Sequence, residues 1–286
     1  MKNCVQTFIL TLLAVFFAAN TATAQDAEST GLPGDNFSLE GALELFKKAD
    51  SPEAFEKLLN SEDNHVNNLD LNDDNEIDYV RVVDNMDGDV HAIVLQVTVS
   101  EDESQDIAVI EIEKTGKDEA ILQILGDEDV FGDETIVEPF EAEASENGKN
   151  GPNITVERIV VNVWGWPSVR FVYAPGYRTW ASPYRWRHYP VWFSPRRPHP
   201  FHVWHPFAVG YRPHYHVVTT HRVTRAHAVY APRRVGSKTV NTRTTVVKTQ
   251  KGTVKKSTTT TTRKGPGGHV KSQKKTTKVQ GKRRGG

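Results

Sequence analysis

The densest run of oxygen donors in the chain is Asp70-Leu71-Asn72-Asp73-Asp74-Asn75-Glu76-Ile77-Asp78. In a tight loop, side chains at alternate positions can meet at one point. Asp70, Asn72 and Asp74 could then converge, joined by the backbone carbonyl of Glu76 and the carboxylate of Asp78. That donor set suits a hard cation, since Ca2+ takes six to eight oxygens and tolerates irregular geometry. The spacing offers Ca2+ as a cofactor with Asp70, Asn72, Asp74, Glu76 and Asp78 as its ligands. The alternative is a solvated acidic turn that binds nothing.

The loop resembles a degenerate EF-hand calcium loop, with oxygens at its positions 1, 3 and 5 and apolar Ile77 at position 8. Asn75 stands in place of the glycine at position 6, which is tolerable because Asn enters the left-handed region. Arg81 stands where a bidentate Glu would close the loop, and a strand pattern follows where a second helix would be. The likeness is closer to the acidic loops that introduce β-strands in secreted repeat proteins.

His199, His202 and His205 stand three apart, and His214, His216, His221 and His227 follow. Imidazoles at this density can take zinc or copper. Pro198, Pro200 and Pro206 would break any helix that aligned them, so adventitious binding is expected ahead of a built centre. All six Trp lie between Trp164 and Trp204, among Arg, His and Pro. Stacking on sugar rings or bases, with arginines gripping carboxylate or phosphate, is one reading of that segment. Packing on the acidic half, or self-association, is the other. Catalysis is not expected: the only cysteine is Cys4, and no GxSxG, HExxH or phosphate-loop motif occurs. A hydrolase built from paired carboxylates is the weakest alternative.

All 36 Asp and Glu lie at or before Glu157, whereas 27 of the 35 Lys and Arg lie beyond it. The formal net charge of −1 therefore conceals an acidic block joined to a basic one. Contact between the two blocks is the first partner to expect. Anionic polysaccharide or lipopolysaccharide is the external one. Nucleic acid would answer the same charge but does not suit an exported chain. Residues 1–24 read as a signal peptide, with Lys2, an apolar stretch from Phe8 to Ala19 and a small-residue site at Ala22-Thr23-Ala24. A mature chain from Gln25 would be cysteine-free and periplasmic, outer-envelope-associated or secreted. No later stretch is long and apolar enough for a transmembrane segment.

The elements that must position these groups begin after a flexible leader at 25–36. Ser38 caps an apolar stripe at Leu39, Ala42, Leu43 and Phe46, and Ser51-Pro52-Glu53 starts a second short helix through Phe55, Leu58 and Leu59. From Ile77 the period changes to 2, giving strands at 77–83, 90–99 and 107–112 with an Asp87-Gly88 hairpin. Residues 120–125 are a fourth strand or a short helix, with strand favoured because Gly116 and Gly126 bracket them, and an edge strand is expected at 135–137. These make an α+β domain over 37–140, two short N-terminal helices packed on an antiparallel β-meander. A linker is expected at 141–157. An aromatic, Pro-, Arg- and His-rich region at 158–232 follows, with a hairpin over 158–173. A Thr/Lys-rich basic tail at 233–286, low in complexity and mostly disordered, completes the chain.

The order of parts resembles an uncharacterised family of exported bacterial envelope proteins. The likeness rests on LPGDNFSLEGALELFKKA, NLDLNDDNEIDYVRVVD, QDIAVIEIEK and NVWGWPSVRFVY, and spans about residues 32–207. It implies export and this architecture, and assigns no activity. The function expected is that of an exported non-enzymatic binding or structural protein, with a calcium loop and a basic aromatic region for anionic envelope polymers or self-association. A matrix or mineral-associated structural protein is the alternative.

Overall fold

Two capped helices open the fold. In α1 (Leu39–Lys48) the Gly41 N–H donates to Ser38 Oγ at 3.0 Å, and Lys47 and Lys48 sit in the last turn, where the helix dipole favours cations. In α2 (Pro52–Leu59) the Ala54 N–H donates to Ser51 Oγ at 3.2 Å. Their buried faces meet through Phe46 and Phe55, edge to face at 5.1 Å. The computed structural model describes residues 29–146, 154–250, 255–264 and 270–280. From Gly31 on, these belong to one compact unit.

The sheet is an antiparallel meander: β1 (Val80–Asp87), β2 (Val90–Thr98), β3 (Ser104–Gly116), β4 (Glu119–Gly126), β5 (Thr135–Glu146) and β6 (Ile154–Val160), in that spatial order. Gly88, at φ +62°, turns β1 into β2. A short helix, α3 (Glu128–Phe131), is capped by Asp127 between β4 and β5. The fold is α+β, with α1 and α2 on the face made by Val82, Ile93, Leu95, Ile110, Ile112 and Ile124.

Alternation along β3 sends Ile110 and Ile112 to that face and Val109, Glu111 and Glu113 to the other. Such a strand normally leaves its acids in water. Here the basic half returns across the second face. After α4 (Pro167–Val172) and α5 (Phe201–Val209), strand β7 (Tyr215–Val218) pairs with β5, and α6 (Thr224–Tyr230) lies over β2 and β3. Tyr230 joins Ala92, Val94, Val109, Leu125 and Ile136 in one apolar cluster, while Val223, Ala226 and Val229 pack with Val90. Glu111, Glu138, Asp106 and Gln123 are consequently buried. The free edge of β1 is covered as well: the Asp84 N–H donates to Trp180 O and the Ser182 N–H to Val82 O, which blunts the edge against pairing with other chains.

Several expected boundaries are corrected. The leader is not free to its end, since Pro33–Asn36 forms a 3-10 turn with Pro33 and Gly34 buried. The linker at 141–157 is strand on both sides of 147–153, residues outside the described set. The edge strand at 135–137 is the start of the long β5, which has partners on both sides. The hairpin over 158–173 does not form. Its first arm pairs with β5, and its second is α4, because Pro167 at the first helical position presets a helical φ that outweighs the β-branched composition. The basic C-terminal region starts later than residue 233. Helix α7 (Lys238–Gln250) lies against α3, with Ser237, Val240 and Thr244 buried. Beyond it, β8 (Lys255–Lys264) and β9 (Val270–Gln280) form a separate two-stranded sheet. An isolated two-stranded sheet is marginal in water.

Candidate functional site: an unpaired arginine groove and the acidic loop

The Asp70–Asp78 loop folds as a series of side-chain-to-backbone bonds. Asp70 accepts from the N–H groups of Asp74 at 3.2 Å and Asn75 at 2.9 Å. Asn72 Oδ1 accepts from the Asp74 N–H at 3.0 Å, and Asp74 Oδ1 from the Glu76 N–H at 2.9 Å. Asp73 and Asn75 take positive φ, 60° and 64°, which Asn and Asp adopt more readily than other side chains. Asp70, Asn72 and Asp74 are thus brought together. The Glu76 side chain is exposed, and Asp78 turns inward, accepting from the Leu71 N–H at 2.6 Å. Desolvation, with the nearby charges of Asp70 and Asp74, pushes the Asp78 carboxyl up to about 8. Asp70 is also raised, first by desolvation and then by its acidic neighbours. Arg243, on α7, donates to Asp70 O at 2.8 Å and pairs with Asp73 at 2.8 Å.

The His199, His202 and His205 series does not converge. The His199 N–H donates to Asn68 Oδ1 and its ring faces Glu62, while His205 packs on Phe201. Among the described residues, the one place where three acid or histidine donors meet is Glu111 with His221 and His227, on the second face of the sheet.

Much of the aromatic segment packs on the acidic half. Tyr79 is ringed by Tyr184, Tyr189, Trp192 and Phe193, with centroids 4.9 to 6.0 Å away. Beneath it, Glu56 is almost fully buried. It accepts from Tyr79 Oη at 2.7 Å, the Val82 N–H at 2.8 Å, Ser182 Oγ at 2.8 Å and Trp180 Nε1 at 3.3 Å. Burial raises its proton affinity even against those four donors.

Six of the described arginines face a carboxylate, and Arg81, Arg170, Arg178, Arg185, Arg187, Arg197 and Arg233 do not. Arg196, Arg212, Arg222, Arg225, Arg234 and Arg243 each face a carboxylate, the most extensively bonded being Arg234, whose fork meets Asp127 at 2.5 and 2.8 Å and Asp129 at 2.6 Å. Arg81, Arg185 and Arg187 have no carboxylate within 4.0 Å among the described residues, and all three line one open groove of about 760 Å³. Arg81 is held from below, where Nη2 donates to Ser182 O at 3.1 Å, while its buried Nε has no partner. Arg185 and His188 close a tight turn, with the His188 N–H donating to Arg185 O at 2.9 Å, so Trp186 and Arg187 project from its tip. Arg187 lies over the Trp186 ring at 5.3 Å, which leaves the opposite face of the indole unclaimed by that cation. The other lip carries Thr98, Glu101, Asp102 and Ser104.

These residues were not singled out from the sequence as a site. The signals present were the Arg-Trp-Arg-His run at 185–188 and the isolation of Arg81, the only Lys or Arg between Lys57 and Lys114. What joins them is a contact across more than a hundred residues, which no spacing encodes. No protein-family model, curated protein or solved structure matches the chain.

Proposed function

We propose that this is an exported, non-enzymatic binding protein that holds an acidic polysaccharide of the cell envelope in the groove between Arg81 and the Arg185–His188 turn. The observation that carries the reading is the clustering of three unpaired arginines in one groove. Arg81, Arg185 and Arg187, with no carboxylate within 4.0 Å among the described residues, line it together with the Trp186 indole. A uronic-acid polymer fits each of its parts. Guanidinium forks grip carboxylates bidentately, the indole offers a flat face to a sugar ring, and Glu101 and Asp102 can accept from sugar hydroxyls. A plain polyanion would use the first feature alone.

The test is calorimetric binding of a uronic-acid polymer across a salt series. Arg185→Ala with Arg187→Ala should weaken binding about tenfold or more and flatten its salt dependence. Trp186→Ala should weaken binding to the sugar polymer but leave binding to polyphosphate unchanged. Equal affinity of wild type and the double variant would refute the reading.

Calcium at the Asp70–Asp78 loop is a second element of the proposal. Desolvation and the Asp74 charge both raise the proton affinity of Asp70 and Asp78, and a divalent cation beside these carboxylates would relieve that repulsion. Millimolar Ca2+ should then raise the unfolding midpoint, as any ligand bound only by the native state does. Asp74→Ala should abolish the rise. An unchanged midpoint in wild type would remove calcium from the account.

A further inference from the structure

We infer that Glu111, His221 and His227 form a binding site for a divalent transition ion, with zinc the best fit, that clips the basic half of the chain onto the acidic sheet. The three donors come from two blocks that the sequence keeps far apart: Glu111 from the middle of β3, His221 from the turn after β7, His227 from the middle of α6. Their ligand atoms all lie within 4.8 Å of one another. His221 Nε2 stands 2.7 Å from Glu111 Oε2, and His227 Nδ1 stands 2.9 Å from Glu111 Oε1. The two imidazoles meet edge to face at 4.5 Å.

The carboxylate is the informative member. Glu111 is fully buried, and among the described residues the two imidazoles are its only hydrogen-bonding partners. A buried carboxylate is usually met by backbone N–H groups or a guanidinium, as Glu56 and Asp127 are. Imidazole nitrogens are the borderline donors that a zinc ion takes together with one carboxylate. Nitrogen and oxygen ligands about 2.0–2.2 Å from a tetrahedral zinc stand about 3.3 Å apart. The two nitrogen–oxygen separations need to open by only about half an ångström to admit the ion, a shift within side-chain rotation. The imidazole-rich set argues against calcium and magnesium, which take oxygens.

The surroundings hold the ligands in place. The Arg225 and Ala226 N–H groups donate to Glu113 Oε1, at 2.7 and 3.1 Å, fixing the first turn of α6 that carries His227. The Arg222 N–H donates to Gln123 Oε1 at 2.7 Å, fixing the residue after His221. The side chains of His221 and His227 are 21% and 34% exposed, so an ion can enter from solvent and keep water as its fourth ligand. Because the ligands join only in the folded chain, the ion would bind the native state and not the unfolded one. At a hundred times Kd it would shift the folding equilibrium about a hundredfold. The site lies on the face opposite α1 and α2 and makes no use of the arginine groove, so it stands or falls independently of the polysaccharide reading.

The experiment is zinc titration of the full chain by calorimetry after chelator treatment, with Glu111→Gln, His227→Ala and the control His202→Ala/His205→Ala measured in parallel. Wild type and control should each bind one equivalent tightly. Glu111→Gln and His227→Ala should weaken it at least tenfold to a hundredfold, the range that even supporting residues of such sites command. Cobalt in place of zinc should give the visible absorption bands of a tetrahedral nitrogen–oxygen site in wild type. This readout decides the matter even if His227→Ala does not fold. Absence of the tight equivalent in wild type, equal affinity in Glu111→Gln, or loss of binding only in the control would overturn the proposal, leaving a hydrogen-bonded Glu–His–His cluster without an ion.

Discussion

Replacing Glu56 tests the claim that the basic half is a structural layer and not an appendage. Its carboxylate gathers two donors from the acidic half, Tyr79 Oη and the Val82 N–H, and two from the returning segment, Ser182 Oγ and Trp180 Nε1. Glu56→Ala removes the acceptor and leaves up to four donors facing a cavity. At about 1–3 kcal/mol for each buried donor left unsatisfied, with partial relaxation of the two hydroxyls, the expected loss is about 4 kcal/mol. Glu56→Gln should behave differently. Its amide carbonyl can still accept from Val82 and Trp180, while the hydroxyls of Tyr79 and Ser182 can rotate and accept from the amide NH2, so the loss should stay below about 1 kcal/mol. The pH dependence follows from the direction of the shift. Burial raises the Glu56 carboxyl above its ordinary 4.5 in the folded chain, so the native state holds a proton over a window beginning there. Below the window both states are protonated and Glu56 contributes no pH dependence. As pH rises through it, wild type loses stability relative to Glu56→Gln, and the difference levels off above the folded value. Urea unfolding followed by tryptophan fluorescence, with Trp180 beside the carboxylate as reporter, measures all of this. A Glu56→Gln variant as unstable as Glu56→Ala would show that the charge itself holds the network. A loss under about 1 kcal/mol in Glu56→Ala would show that the returning segment does not bury these donors.

Other perturbations probe the same layer. Arg234→Ala should cost about 2–3 kcal/mol, because it leaves the buried Asp127 carboxylate without its guanidinium while Gln105 Nε2 and the Asp129 N–H still donate to it. Desolvation already raises Asp127, so that cost should shrink on acidification as the carboxyl takes up a proton, and urea midpoints at pH 5 and pH 7 would show it. Deleting residues 251–286 should leave the unfolding transition within about 0.5 kcal/mol of wild type. Deleting 236–286 should cost about 2–4 kcal/mol, since it removes buried Val240 and the contacts of Ser237, Arg243 and Thr244. Equal stability of the two truncations would contradict the docking of α7.

The local half of the fold was legible, and the physical reason is range. Ser38 and Ser51 announced their helices because a cap acts within three residues, and β1 to β3 announced themselves through period-2 placement of residues such as Val82, Ile93 and Ile110. The second layer was hidden because its apolar residues are spaced by prolines and aromatics, not by a helical or strand period. Its anchors are single polar contacts such as Tyr177 Oη to Asp84 Oδ2 and Tyr215 Oη to Glu44 Oε2, across 93 and 171 residues. The alternation of Ile110, Glu111, Ile112 and Glu113 marks a strand, but nothing local says that a basic segment will cover its acids. The Asp70–Asp78 loop was legible as a turn for the same reason that Ser38 was legible as a cap. Arg81 and the Arg185–His188 turn were visible only as separate residues, and the groove exists because residues 180–182 dock along the edge of β1.

The central claim is that Arg81, Arg185 and Arg187, which share one groove and face no carboxylate among the described residues, are held for an outside anion, while Arg222, Arg225, Arg234 and Arg243 are engaged by the chain's own acids. Hydrogen-exchange footprinting of the full chain, with and without a uronic-acid polymer, reads that division directly. The account predicts added protection confined to the β1 backbone around Arg81 and to residues 184–188, with no change across 222–243, where the guanidinium groups are already engaged. Protection spread evenly over the basic half, or centred on 222–243, would contradict it.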